Sequence, residues 1–226
     1  MRRSDSEGWK RPMRTVVVTG ATRGLGKALV EALAGSGRPT VALGQDVRVL
    51  EELRAVERVQ PLVMDLTDRD ALRDTLAGLD VGALIHTEQL IVPGGRVLDM
   101  PEGAVDALLE VNLSATIHLT MQVARNMARR KAGRVLFLLP KRRTEIADEN
   151  AAAAVVNDGV RAFARCLELE VRERGVAVEI IEFNPVSTAA SADEPGKAFE
   201  WEAADLPAVV AQTLRRVAIR ESNQDE

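Results

Sequence analysis

The 226-residue sequence has no tyrosine, one cysteine and two histidines. Because Cys166 is the only cysteine, neither an internal disulfide nor a thiolate metal site is available. This residue falls at an apparently buried position of a predicted helix. With His86 and His118 as the only histidines, a metal centre would need mostly carboxylates, and nothing in the spacing of these residues indicates one. We therefore predict no metal.

The sequence also has no excess of basic residues and no long apolar run. Its 30 lysines and arginines are outnumbered by 34 aspartates and glutamates, for a net charge of −4. A dedicated nucleic-acid binder would need a basic face, so this balance argues against that class. No stretch is long and apolar enough to span a membrane, and Met1–Arg14 lacks the apolar core of a signal peptide. We expect a cytoplasmic protein without nucleic-acid or membrane partners.

What the sequence does contain is an alternation of short apolar strand patterns with amphipathic helical patterns. Such alternation predicts a parallel sheet with right-handed crossovers and helices on both faces. The predicted strands are Thr15–Val18, Thr40–Leu43, Pro61–Met64, Ala83–Ile85, Arg134–Leu139 and Val176–Glu182. The predicted helices are Lys27–Ala34, Asp46–Arg58, Asp68–Leu79, Pro101–Arg130, Glu149–Arg174 and Asp205–Ile219, with an irregular loop over Pro185–Glu200. One α/β domain over residues 14–220 is predicted, between a mobile arm (1–13) and a polar tail (221–226).

The most informative stretch is Thr15–Gly26, TVVVTGATRGLG, in which a β-branched strand runs into a glycine-rich turn and a helix. Glycines at such a turn let the backbone approach a phosphate, and the helix N-terminus supplies amide donors. This predicts a dinucleotide pyrophosphate site. A P-loop is excluded, because Gly20 is one residue too far from Gly26-Lys27 and Ala28 has no hydroxyl group. The GxGxxG spacing is also absent. A tight turn that binds nothing is the alternative.

The spacing TGxxxGxG resembles the fingerprint of the short-chain dehydrogenase/reductase family. Further segments resemble that family in order: Asp65-Leu66-Thr67, Val111-Asn112-Leu113, Gly133-Arg134-Val135 and Asn184–Thr188. The resemblance covers roughly Arg14 to Arg220. It implies a single-domain, Rossmann-type, doubly wound parallel sheet, here without the family's last strand.

The resemblance also implies a cofactor site. The implied cofactor-binding residues are Gly20, Thr22, Arg23, Gly24, Leu25, Gly26, Gln45, Asp65, Leu66 and Thr188. In the family a basic residue at Arg23 often pairs with the 2′-phosphate of NADP, whereas Gln45 stands where a phosphate-binding arginine is expected. We expect NADP(H) in preference to NAD(H). A solvated turn arginine, or no bound cofactor at all, is the alternative.

The family's catalytic residues are a serine, a tyrosine and a lysine, with a helix asparagine that holds a water in a proton relay. Counting back from Arg161–Leu169, which matches the family, puts Ala153 at the tyrosine position and Asn157 at the lysine position. The serine position falls on Leu139 or Pro140, so that only Asn112 is retained. His86 would be a replacement acid only if it faced the hydride, and its position predicts that it faces the adenosine half. Glu88 and Gln89 replace small residues there and could fill that space.

Two functional hypotheses follow from this pattern. The first is a family member with a degenerate active site that acts as a non-catalytic subunit, a scaffold or a cofactor-responsive binding protein. The alternative is an atypical NADP(H)-dependent oxidoreductase with a non-tyrosine mechanism. The family's dimer interface implies a homodimer, or a heterodimer with a relative, through helices 101–130 and 149–174. A small-molecule ligand in the substrate cleft is also left open.

Overall fold

The computed structural model describes residues 13–87, 98, 100–141, 151–187, 201–203 and 205–218. Six parallel strands form one sheet in the order β3-β2-β1-β4-β5-β6. The strands are β1 (Thr15–Val18), β2 (Thr40–Gly44), β3 (Val59–Val63), β4 (Val81–His86), β5 (Gly133–Pro140) and β6 (Val176–Phe183). The helices are α1 (Gly24–Gly35), α2 (Val47–Arg54), α3 (Arg69–Ala77), α4 (Ala104–Leu109), α5 (Thr116–Arg129), α6 (Ala151–Val171) and α7 (Leu206–Ala218).

Alternate side chains of the central strands enter separate cores on the two faces of the sheet. Val17 and Leu84 lie in a core completed by α3, α5 and α6, whereas Val16 and Ile85 lie in a core completed by α1, α2 and α7. Strands buried on both faces explain the continuous runs of β-branched and apolar residues. The doubly wound, Rossmann-type sheet predicted from the sequence is thereby confirmed. The strand order reverses between β1 and β4, where the carboxyl ends of the strands open a crevice.

The predicted long helix over Pro101–Arg130 is interrupted. A π-helical segment, Glu110–Ala115, separates α4 from α5 without breaking the chain of helical turns. A π segment contains one residue more per turn than an α-helix, and such segments often occur at functional sites. The sequence-based prediction of one continuous helix did not include this segment.

Other predicted boundaries need correction. The second helix is shorter than Asp46–Arg58, because Asp46 is its cap and Arg58 turns the chain at a φ of +68°. Strand β3 begins and ends earlier than Pro61–Met64. The predicted irregular loop begins with a strand, β7 (Pro185–Ser187), which pairs antiparallel with β8 (Trp201–Ala203). Cys166 is exposed, not buried as predicted.

Several predictions fall on residues outside the described ranges. The N-terminal arm is described only at its last residue, and the polar tail, Glu88, Gln89 and Thr188 are not described at all. The division into arm, domain and tail therefore stays a prediction. The same holds for the absence of the family's last strand.

Candidate functional site

The glycine-rich turn after β1 has a backbone that only glycine adopts easily. Gly20 and Gly24 have φ values of +62° and +45°, in the left-handed region where a side chain is strained. At Gly26 a Cβ atom would lie 2.1 Å from the carbonyl oxygen of Gly20 and 2.6 Å from Thr87 Oγ1. The first turn of α1 is thus packed directly on the loop, and any side chain at Gly26 would push them apart.

Hydrogen bonds fix this turn to the strands on either side. Thr19 N donates to Ile85 O at 3.0 Å, and Ala21 N donates to Leu43 O at 3.0 Å. Thr87 Oγ1 donates to Thr19 O at 2.6 Å. The turn is therefore held over the carboxyl ends of β2, β1 and β4, in the crevice where the strand order reverses.

The N-terminus of α1 opens into the same crevice. Its N-cap residue, Arg23, is in an extended conformation, and a guanidinium cannot accept a hydrogen bond from the helix amides. The first turn of α1 contains no acidic residue. A helix N-terminus with this composition favours an anion. The left-handed glycines, the close packing at Gly26 and this helix end together fit a dinucleotide pyrophosphate.

The end of β2 forms the next part of the crevice. At Gly44 a Cβ atom would lie 2.4 Å from Thr22 Cγ2, so the absence of a side chain there makes room for Thr22. Gln45 is exposed. The next residue, Asp46, accepts a hydrogen bond from Val49 N at 3.1 Å and caps α2.

Asp65 lies beyond the end of β3 and is held by its own turn. Its Oδ1 atom accepts hydrogen bonds from Thr67 N at 2.9 Å and from Thr67 Oγ1 at 2.8 Å. Leu66 is buried beneath it, whereas the Asp65 carboxylate is exposed. The carboxylate is therefore fixed in orientation and accessible, as an acceptor for an adenine amino group must be.

The helix that carries two of the replaced catalytic positions, α6, is bonded to the carboxyl end of β5, which carries the third. The Arg161 guanidinium, on α6, donates to Pro140 O and also pairs with Glu182 at 3.1 Å and with Asp158 at 3.3 Å. Asn157 lies one turn before Arg161 on this helix, and Ala153 lies one turn before Asn157; both are partly exposed. The structure thus anchors α6 to the strand end that carries Pro140.

Asn112 is buried within the π segment, with 8% of its surface exposed. The π segment packs against α6, since a Cβ atom at Gly159 would lie 3.1 Å from the Leu113 side chain. Asn112, Thr116 and Thr120 are all buried, and Thr120 contacts His86 of the sheet.

The structure shows the His86 ring inside the protein. Its Nε2 atom is 2.8 Å from Thr120 Oγ1 on α5, and its ring stacks on Phe137 with centroids 5.1 Å apart. That this position faces the adenosine half stays a prediction. Burial lowers the pKa of His86 from 6.5 to about 3. A ring that is neutral at physiological pH is a poor general acid, which argues against His86 as a replacement proton donor.

Sequence reasoning missed Arg161 and Thr120. Arg161 lies in a segment that resembles the family, but its type alone gave no sign of a role. Only the structure shows that its buried guanidinium bonds to Pro140 and Glu182.

The described residues contain no group of three or more histidine, cysteine or carboxylate side chains that could hold a metal ion. None of the described helices has the length and apolarity needed to cross a bilayer.

Comparison with known proteins identifies the family. The family described as short chain dehydrogenase matches residues 14–197. An uncharacterized short-chain type dehydrogenase/reductase of Sinorhizobium fredii is 32% identical over 121 residues, which cover 54% of this chain and 49% of that protein. Human L-xylulose reductase is 31% identical over 118 residues, which cover 52% of this chain and 48% of the reductase. The chain thus spans about half the length of these curated relatives.

A solved structure extends the similarity over most of the chain. The crystal structure of a metagenomic short-chain oxidoreductase in complex with NADP superposes with a TM-score of 0.72 and 26% identity, covering 88% of this chain and 90% of that one. Relatives named as a reductase and an oxidoreductase contradict the first functional hypothesis, a non-catalytic subunit, scaffold or binding protein. They favour the alternative, an oxidoreductase. Together with the doubly wound sheet and the glycine-rich crevice, the match over residues 14–197 shows that the chain belongs to the short chain dehydrogenase family.

Proposed function

We propose that this protein is an NADP(H)-dependent oxidoreductase that transfers hydride without a tyrosine proton donor. The observation that carries the proposal is the glycine turn, in which Gly20 and Gly24 have a left-handed backbone and Gly26 is packed too closely for any side chain. The NADP complex of a 26%-identical structure supports the same cofactor. The absence of tyrosine from the sequence supports the departure from the family's usual proton donor.

The residues predicted to hold the cofactor would line this crevice, with Thr188 outside the described residues. Gly20, Gly24 and Gly26 would face the pyrophosphate, with Thr22 and Leu25 shaping the same turn. Leu66 would pack near the adenine, and the Asp65 carboxylate would accept a hydrogen bond from the adenine amino group. Thr188 would border the nicotinamide. Arg23 would pair with the 2′-phosphate, which favours NADP(H) over NAD(H), since a guanidinium suits phosphate geometry. Gln45 would add a neutral hydrogen bond beside it.

The bound cofactor would supply a hydride or accept one. The residues at the replaced catalytic positions would neither protonate the reacting atom nor donate a hydrogen bond to it. Ala153 has no acidic proton, and Pro140 has no hydrogen-bond donor. Hydride addition to a ketone would then have to form a strongly basic alkoxide without a proton donor. An iminium carbon accepts a hydride and gives a neutral amine, and an electron-poor alkene gives a stabilised, less basic carbanion that takes its proton from water. We propose substrates of these two classes.

Asn157 and Asn112 would take the remaining polar roles. A carboxamide both donates and accepts hydrogen bonds, so Asn157 is able to bind the hydroxyl groups of a ribose in place of a lysine. Asn112, buried in the π segment, would hold a water molecule, the role that the family resemblance implies. Neither residue titrates, so the proposed reaction depends little on pH between 6 and 8 through these two side chains.

Two glycine variants on one helix test the proposed function. Gly26→Ala places a methyl group 2.1 Å from Gly20 O, whereas Gly35→Ala, at the other end of α1, meets no atom within 4 Å. Calorimetry with NADPH, NADP, NADH and NAD should show binding of NADPH that Gly26→Ala weakens at least tenfold and Gly35→Ala leaves unchanged. NADPH oxidation with a panel of iminium ions and activated alkenes should be lost in the same variant.

Two results would contradict the proposal. One is no binding of any of the four nucleotides at millimolar concentration. The other is equal binding by the native protein and a folded Gly26→Ala variant, since the nucleotide would then lie elsewhere. Binding of NADH alone would refute the assignment of Arg23 as a 2′-phosphate ligand.

We also propose that the protein forms a dimer through α4–α5 and α6. On α6, Val155 and Leu169 are 60% and 62% exposed, and the exposed Ala162 lies midway between them at a spacing of seven residues. Small and apolar side chains at this spacing form one stripe along a helix and suit a helix–helix contact. A second copy of this chain is the simplest occupant, and a heterodimer with a relative is the second candidate.

Sedimentation velocity tests the dimer. Leu169→Glu should convert it to monomer, whereas Val47→Glu, which replaces a side chain that is 56% exposed on α2, should not. A native protein that sediments as a monomer at high micromolar concentration would rule out the homodimer. The heterodimer would then be tested by mixing the chain with a relative, which should give a complex that sediments faster than either protein alone.

A further inference from the structure

The π segment between α4 and α5 requires something to hold it. Helical residues advance by about 100° each, so one added residue rotates everything after Ala115 relative to a regular helix. The same extra residue sets the position of Asn112. A regular α-helix would satisfy the backbone equally well, so contacts outside the backbone must stabilise the π turn.

One such contact ties α5 to the sheet from inside. Thr120 Oγ1 donates to Thr116 O at 2.8 Å, which uses its only proton. The bond of 2.8 Å between Thr120 Oγ1 and His86 Nε2 must therefore be donated by the ring, which fixes the Nε2–H tautomer. His86 Nδ1 is left as a buried acceptor without a partner among the described side chains.

The histidine ring is itself fixed in orientation. It stacks nearly parallel to Phe137, its neighbour across the β4–β5 pair, with an angle of 9° between the rings. Phe137 in turn meets Phe163 of α6 edge to face at 6.2 Å. A buried acceptor without a partner costs stability, and an apolar side chain at this position would avoid that cost. What the histidine supplies in return is the hydrogen bond to Thr120.

A second contact holds the π segment from outside. One guanidinium nitrogen of Arg69, on α3, donates to Glu110 Oε1 at 2.9 Å and to Ser114 Oγ at 3.0 Å. These residues lie near the two ends of the π segment. The segment is therefore held at its outer surface by Arg69, while His86 holds the first turns of α5, which follow the segment directly, through Thr120.

We propose that His86, acting through Thr120, is a positioning residue that holds the π turn and thereby fixes the buried side chain of Asn112. The functional part of this inference rests on the proposed oxidoreductase activity, in which Asn112 holds a water molecule. The structural part needs neither cofactor nor substrate. Breaking the bond between His86 and Thr120 lets α5 rotate toward a regular helix and moves Asn112.

Matched threonine variants test this proposal. Thr120→Val removes the hydroxyl group that links the ring to α5. Thr213→Val removes the same kind of intrahelical bond, a buried hydroxyl that donates to Val209 O at 2.8 Å, from α7. The readouts are the side-chain amide signals of Asn112, identified by their loss in Asn112→Asp, and the hydrogen exchange of backbone amides 111–116.

Thr120→Val should shift the Asn112 signals and change the exchange rates of these amides, because their hydrogen-bond partners change when the π turn relaxes, while Thr213→Val leaves both unchanged. Thr120→Ser, which keeps the hydroxyl, should restore the native signals. If Thr120→Val does not fold, His86→Gln, whose amide can still donate to Thr120, is compared with His86→Leu, which cannot donate. Unchanged Asn112 signals and exchange in a folded Thr120→Val or His86→Leu variant would overturn the proposal, whatever the outcome of the cofactor experiments.

Discussion

The buried ring of His86 should make the stability of this protein fall steeply in mild acid. Burial lowers its pKa from 6.5 to about 3, so between these pH values the unfolded chain binds a proton that the folded chain does not. The free energy of unfolding therefore decreases as the pH falls from 6.5 and levels off below 3. Each unit of pKa is worth about 1.36 kcal/mol, so the loss between pH 7 and pH 5 is about 2 kcal/mol from this side chain alone.

Urea unfolding of the native protein and of His86→Gln at pH 7 and pH 5 measures this loss. Glutamine does not titrate, and its amide can still donate to Thr120. Costs of the substitution that do not depend on pH cancel when the two pH values are compared within each protein. The native protein should lose about 2 kcal/mol more than the variant. Equal losses in the two proteins would show that His86 titrates normally, and the argument from burial would be refuted.

Three further substitutions should have defined effects. Gly44→Ala places a methyl group 2.4 Å from Thr22 Cγ2 and should lower the free energy of unfolding, measured by thermal unfolding, by about 1–3 kcal/mol. Adding Thr22→Ala leaves Cβ, at 3.4 Å, as the nearest atom of residue 22 and should recover most of this stability. No recovery would contradict the packing argument. Asp46→Ala removes the cap of α2 and should lower the free energy of unfolding in urea by about 1 kcal/mol, while Asp46→Asn should cost little; equal losses would mean that the cap is unimportant. Arg161→Met deprives the Pro140 carbonyl of its donor and should cost about 1–3 kcal/mol in the same assay, so a variant as stable as the native protein would show that this buried guanidinium is not needed.

The regular parts of the fold were predictable because their signals are local. A run of β-branched residues such as Thr15–Val18 suits a strand covered on both faces, and the glycines that follow are required by the left-handed backbone at Gly20 and Gly24. Helix ends were less certain. Asp46 reads equally well as the first residue of a helix or as its cap, and only its bond to Val49 N distinguishes the two.

The candidate site was predictable in part. The glycine turn and Asp65 follow from short motifs, and their geometry fits a nucleotide. The surroundings of His86 were not predictable, because its partners Thr120 and Phe137 are 34 and 51 residues away in the sequence. The exposure of Cys166 was missed for a related reason: the apolar pattern of α6 covers more of the helix than the sheet can bury.

The sequence by itself therefore determined the doubly wound sheet, the glycine crevice and the loss of the tyrosine, since each depends on residue type at a fixed spacing. The tertiary structure alone decided the π segment, the tautomer of His86 and the anchoring of α6 to Pro140 by Arg161. These features depend on contacts between side chains that are distant in the sequence. Such contacts exist only once the two cores have packed, so no local pattern could contain them.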